Sequence, residues 1–235
     1  MKYEDLCLYL SSPRFERYFI ASNFNEKRAI LIYKENLKVA QSFYPLISFF
    51  EVVLRNKLNY ELSNYFSDSE WIINQKTIMM SDPSLSHFDK KKQIFITNDF
   101  LKNSIEKSEK RLRRLKLPVT CNHIIADTSF GFWTELFEIQ HYKILKGRPI
   151  KIFENLPAGI GRKEVSDRLN KIRILRNRIS HNEPLCFKSS SLDFSGIQTN
   201  YLILQELLLW LNPELLNWIM DLNQIHHVIA KAKQI

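Results

Sequence analysis

An arginine, an asparagine and a histidine stand close together in the run Leu169-Asn170-Lys171-Ile172-Arg173-Ile174-Leu175-Arg176-Asn177-Arg178-Ile179-Ser180-His181-Asn182-Glu183-Pro184. A guanidinium stays charged at every physiological pH and offers a planar fork of donors to an oxyanion. An imidazole as a type titrates near neutrality and can accept or give a proton. Together, Arg176 and His181 supply the two kinds of group needed to hold a negatively charged centre and move a proton at it.

The spacing also says how these residues must be carried. Leu169, Ile172, Leu175 and Ile179 fall on one side of a helix at 3.6 residues per turn, so that side faces a core. Arg173, Arg176, Asn177 and Ser180 lie along the margin of that stripe, half-buried and able to point into a cleft. His181 follows Arg176 by five positions, roughly 140° around an ideal helix, so the two side chains do not meet on a straight one. Either the helix ends near Ser180 and His181 swings back, or the site is shared with a second copy of the chain. Pro184 disfavours helical geometry at Glu183, which fits an ending there.

The rest of the chain reads as helices. Tyr3–Leu10 is a short amphipathic helix, and Pro13 suits the first turn of the next, Arg14–Ala21. Asn25–Phe43 carries Ile30, Tyr33, Leu37 and Ala40 on one face. Pro45 then opens a second long helix to about Phe66, with Ile47, Phe50, Val53, Leu54, Leu58 and Leu62 inward. Ser81–His87 reads as a loop, and Phe88–Leu117 as one highly charged helix ended by Pro118. In that helix Phe95 and Phe100 are read as core contacts, with stacking on bases as the other use of their rings. Ser129–Phe137 is an aromatic-rich buried helix, Pro149–Leu156 a short piece and Pro157–Gly161 a turn. Arg162–Ser180 carries the motif, and two or three helices follow, with Pro213 at a helix start. No strand alternation persists beyond about four residues. The expected fold is all-α, one helical domain over residues 1–235.

Composition narrows the chemistry. Only 5 glycines in 235 residues leave little room for a phosphate-binding loop, and no such pattern occurs. A net charge of +9 points to a polyanionic partner, since lysine and arginine release counterions when they neutralise phosphates. Ten basic against four acidic residues in Phe88–Leu117 give an excess of +6. Lys110, Arg111, Arg113, Arg114 and Lys116 at its end can lie along a nucleic-acid backbone. Cys7, Cys121 and Cys186 are odd in number and unpatterned, which fits a reducing compartment. His226-His227 lacks carboxylate or cysteine partners at ligand spacing, so no metal and no cofactor are expected. The apolar runs Phe43–Leu54 and Tyr201–Leu211 are too short to cross a bilayer. The start of the chain lacks the layout of a signal peptide. A cytoplasmic protein without a membrane partner is expected.

Three blocks of sequence, in order, carry a resemblance. Pro45–Phe66 with Glu51 and Leu54-Arg55-Asn56, then Asp127-Thr128-Ser129-Phe130-Gly131-Phe132-Trp133-Thr134-Glu135-Leu136-Phe137, then Leu175-Arg176-Asn177-Arg178-Ile179-Ser180-His181-Asn182-Glu183-Pro184 resemble the signatures of the Abi-like (abortive infection) family. The Arg-x4-His spacing with asparagine after the arginine resembles the HEPN superfamily of nucleotide-binding and RNA-cleaving domains. The departure is Asn182, where many relatives carry a second histidine.

The resemblance implies a HEPN-like helical bundle core and an endoribonuclease that works without metal. The RNA's own 2′-hydroxyl attacks the adjacent phosphate, leaving a 2′,3′-cyclic phosphate and a 5′-hydroxyl. Arg176 would then hold the phosphate and His181 transfer protons. Asn177 would position the phosphate or the histidine, Glu183 orient the imidazole, and Arg173 and Arg178 bind RNA beside them. Because the chain has one such motif, a homodimer with both motifs at its two-fold axis is implied. Abortive-infection and toxin–antitoxin activity requires restraint, by a non-coding RNA antitoxin that suits a basic surface or by an acidic protein. The rival reading is a HEPN module that binds RNA or a protein without cutting.

Overall fold

The computed structural model describes residues 2–89 and 91–235; Lys90, counted above in the charged segment, lies outside the described residues. Two helices open the chain, α1 (Tyr3–Leu10) and α2 (Ser12–Ala21), with Pro13 in the first turn of α2. The long helix α3 (Glu26–Phe66) then runs for 41 residues with Pro45 inside it. Two helices meeting at Pro45 were expected there, but one continuous helix forms. Proline costs a helix interior about 3 kcal/mol through one lost backbone bond and a clash. Burial of Val39, Phe43, Leu46, Phe50, Leu54, Leu58 and Leu62 contributes about 1.5–3 kcal/mol for each side chain. The apolar stripe therefore outweighs the proline. By length and composition α3 could also cross a bilayer, but its stripe is covered by protein.

The chain continues through α4 (Trp71–Asn74), β1 (Ser86–Asp89), β2 (Ile94–Thr97), α5 (Phe100–Arg114), α6 (Cys121–Asp127), α7 (Phe130–Glu135), α8 (Ile139–Ile144) and α9 (Arg162–Ser180). It ends with β3 (Phe187–Lys188), β4 (Ser191–Leu192), α10 (Ser195–Leu211), α11 (Pro213–Ile219) and α12 (Ile225–Ala232). The fold is all-α: twelve helices and two small antiparallel hairpins among the described residues.

The expected helix over Phe88–Leu117 is half wrong. Its first part is the hairpin β1–β2, which pairs Phe88 with Phe95, their rings 5.3 Å apart and edge-to-face. Asp89 Oδ1 accepts from the amides of Lys91 and Lys92, and Gln93 has φ +55°. A side-chain turn followed by a left-handed residue reverses the chain where a charge count suggested a helix. Phe95 is 76% exposed and Phe100 44% exposed, so neither is a core contact.

Residue contacts group into two compact units. The first comprises Met1–Phe50, Ile174–Leu209 and Pro213–Ile235. Its aromatic core gathers Phe15 and Tyr18 of α2 with Ala29 and Ile32 of α3, packed against Tyr3, Leu6, Tyr33, Phe187 and Leu192. Tyr18 meets Phe187 edge-to-face at 5.2 Å and Phe15 meets Tyr33 at 4.9 Å. The second unit comprises Glu51–Arg173 and Trp210–Asn212. Phe130, Phe132, Trp133 and Phe137 are buried there, as expected of the aromatic-rich segment. The Trp133 Nε1–H donates to Thr128 Oγ1 at 3.1 Å.

Candidate functional site

The motif sits at the end of α9, and its backbone explains why the helix stops. His181 still donates its amide to the Asn177 carbonyl at 3.0 Å, one last helical bond. The next residue, Asn182, has φ +52°. Its amide turns back to the Ile179 carbonyl at 3.1 Å, and the Glu183 amide reaches the Arg178 carbonyl at 2.9 Å. This pair of bonds around a left-handed residue is the Schellman ending, in which glycine or asparagine avoids most of the steric penalty. Asn182 thus has a structural task. The helix ends at Ser180, where one of the two alternatives for His181 put its end.

Side chains behind the cap hold the segment that follows. The Arg178 guanidinium donates to the Pro184 carbonyl, and its Nε lies 3.4 Å from Glu183 Oε2. Asn36 of α3 is buried, and its Oδ1 accepts from the Leu185 amide at 2.7 Å. Leu185 and Cys186 are buried as well. Burial is the largest influence on the Cys186 thiol and pushes it up to about 12, with Arg178 opposing and Glu35 adding to the rise. It stays protonated and takes no part in nucleophilic chemistry.

Glu183, expected to orient the His181 imidazole, has its Oε2 beside Arg178, and Arg178, expected at the RNA, also closes the turn after the helix. The left-handed step at Asn182 folds residues 183 and 184 back onto Arg178. Arg176 is half-buried, whereas Asn177, Ser180 and His181 are exposed. Ser180 Oγ donates to the Arg176 carbonyl at 3.0 Å.

His181 opens onto a cavity of about 590 Å³ in the first unit, lined also by Arg14, Glu16, Arg17, Asn182, Glu183 and Pro184. Phe15 and Tyr18 anchor α2 in the core, so Arg14 and Arg17, three positions apart, share the outward stripe beside them. The Arg14 Nη1 donates to the Asn182 carbonyl at 3.3 Å, across 168 residues of sequence. The Arg17 guanidinium lies 5.7 Å from the centre of the Phe187 ring. Neither arginine, nor Asn36, was legible as part of a site. Their only sequence signal is the i, i+3 arginine spacing opposite two aromatics.

In the second unit Arg173 bonds Asn170 Oδ1 through Nε and Nη2, at 3.2 and 3.1 Å. The basic residues Lys110, Arg111, Arg113, Arg114 and Lys116 are all exposed. Arg111 lies 2.9 Å from Asp127, and Arg113 lies 3.7 Å from Glu109. The arginine heads stand in solvent, whereas Asp127 and Glu109 are largely shielded.

A more deeply set polar cluster lies nearby in the same unit. Glu135 Oε1 accepts from Asn98 Nδ2 at 2.7 Å and lies 3.3 Å from Nδ1 of the fully buried His141. Burial alone would raise this carboxyl; the bonds from His141 and Asn98, with the charge of Arg173, overcome it and hold the group below its ordinary range. Two other histidines serve local structure. His123 Nδ1 is 2.9 Å from Thr120 Oγ1, and His226 packs edge-to-face on Tyr201 at 4.9 Å. Among the described residues no group of three or more His, Cys, Asp or Glu could hold a metal ion.

Compared with known families, residues 3–186 match the Abi-like protein family. The chain belongs to it. No curated protein and no solved structure matches the chain. The Abi-like match takes in α1, α2, the cap of α9 and the segment through Cys186, hence most of the residues around the His181 cavity.

Proposed function

We propose that this Abi-like chain is a metal-independent endoribonuclease of the HEPN type, acting in abortive infection as the toxin of a toxin–antitoxin pair. Family membership supports the role in abortive infection. The observation that carries the chemistry is the exposed His181 imidazole at the mouth of a cavity bordered by guanidinium groups.

The reaction needs three things from the protein. A base takes the proton from the 2′-hydroxyl as its oxygen bonds to phosphorus. A cation neutralises the non-bridging oxygens while charge builds on them. An acid protonates the 5′-oxygen as the P–O5′ bond breaks. His181 serves proton transfer, Arg176 the phosphate charge, and Asn177 the placement of the phosphate. One imidazole cannot take and give a proton in the same step, so a homodimer supplies the second His181. The basic end of α5, Lys110 to Lys116, extends the RNA path. The protein works in the cytoplasm under restraint, and a structured non-coding RNA fits its charge of +9, with an acidic protein as the rival inhibitor.

The test is incubation of the purified protein with end-labelled RNA in EDTA. Cuts that leave 2′,3′-cyclic phosphate ends, abolished in Arg176→Ala and in His181→Ala, are expected. RNA that is bound and never cut refutes the nuclease and leaves a binding module.

A further inference from the structure

The cavity beside His181 has its own cationic wall, contributed by the opposite end of the sequence. We infer that Arg14 and Arg17 of α2 bind an RNA backbone phosphate flanking the scissile one, which makes the cavity a strand-binding subsite. The inference rests on the nuclease reading for its substrate and extends it to residues outside the motif.

Four observations carry it. First, Arg14 and Arg17 share one cavity with His181, and that cavity, about 590 Å³, is of the size that takes a nucleotide-sized ligand. Second, both guanidinium groups are held in place while keeping donors free. Arg14 uses one N–H on the Asn182 carbonyl, and a guanidinium has five. Arg17 is set against the Phe187 ring, a cation–π contact that leaves its in-plane N–H edges unused. Third, α2 cannot easily rotate these arginines away, because Phe15 and Tyr18 on its other side are fully buried. Fourth, of the two carboxylates in the wall, Glu183 is already paired with Arg178. Glu16 also borders a second concavity with Tyr3 and Cys7. Two arginines therefore face the space against one unpaired acid, a balance that favours an anion.

The contact from Arg14 to the cap has a second consequence. It ties α2 to the residue directly after His181, so strand binding at α2 and placement of the imidazole share one backbone position.

The experiment measures binding of fluorescein-labelled single-stranded RNA, fully 2′-O-methylated so that it has no attacking hydroxyl. Arg17→Ala should weaken binding about tenfold and lower the slope of log K against log salt by about 0.7, one phosphate contact on a single strand. Arg14→Lys and Arg17→Lys keep the charge and the slope but lose the planar fork, so affinity falls by less. Lys231→Ala, an exposed cation outside the cavity, should bind as wild type. Circular dichroism checks that each variant folds, and the lysine variants carry the test if Arg17→Ala does not. Unchanged affinity in both Arg17→Ala and Arg14→Lys, with an unchanged slope in Arg17→Ala, overturns the subsite, and so does an equal loss in Lys231→Ala. Parallel digestion of unmodified RNA separates the two readings. Arginine-dependent binding without cutting removes the nuclease and keeps the subsite; cutting with arginine-independent binding does the reverse.

Discussion

Replacing Asn36 with alanine should loosen the segment that carries the candidate site without touching the site itself. Asn36 is 2% exposed and Leu185 3% exposed, so water does not readily replace the side chain when it is removed. The Leu185 amide gives its proton to Asn36 Oδ1 at 2.7 Å, and Asn36 Nδ2 reaches the Glu183 carbonyl at 3.5 Å. The second contact is long and adds little. A neutral hydrogen bond is worth about 1 kcal/mol net, and orphaning a buried amide costs about 1–3 kcal/mol. The expected loss is therefore about 2 kcal/mol, localised to residues 183–186. At 1.4 kcal/mol per decade this is roughly thirtyfold faster hydrogen exchange at the Leu185 amide. Amide exchange followed by NMR reads that position directly, and RNA cleavage by the same variant should fall because His181 lies just before the loosened turn. An exchange rate at Leu185 within about threefold of wild type, equivalent to roughly 0.6 kcal/mol, would show that the loop is held by something other than Asn36.

Two further outcomes follow from the same structure. Asn182→Gly should leave the thermal midpoint within about a degree, whereas Asn182→Ala should cost about 1 kcal/mol at the left-handed residue, lowering the midpoint by roughly 2–4 °C; equal midpoints for the two variants would refute the cap. Glu135 has a depressed folded carboxyl, so its stabilisation is present above the ordinary carboxylate range, about pH 4, and is lost as pH falls through the folded value. In urea titrations the deficit of Glu135→Gln against wild type should be largest near neutral pH and shrink in acid, and a deficit independent of pH would refute that account.

Local pattern alone determined much of this protein. The helix Arg162–Ser180 and its buried stripe follow from spacing, because an amphipathic helix writes its core face into every third or fourth residue. The aromatic block Phe130–Phe137 was legible as core from its aromatic content, and Arg176, Asn177 and His181 as a motif because they are close in sequence. Where local signals competed, the reading failed. Pro45 looked like a helix start because the burial that overrides it comes from distant segments. The stretch 88–97 looked helical because lysine-rich turns and helices share composition, while the Phe88–Phe95 pairing is a cross-strand property.

The surroundings of His181 belong wholly to tertiary structure. Arg14 and Arg17 lie 164 or more positions from His181 in the chain, and Glu183 was brought beside Arg178 once Asn182 turned the backbone. Periodicity records which residues face inward; it carries no record of which distant segment they will meet. That choice is made by the packing of Phe15, Tyr18 and Phe187 into one core, and it brings two arginines to the edge of the motif.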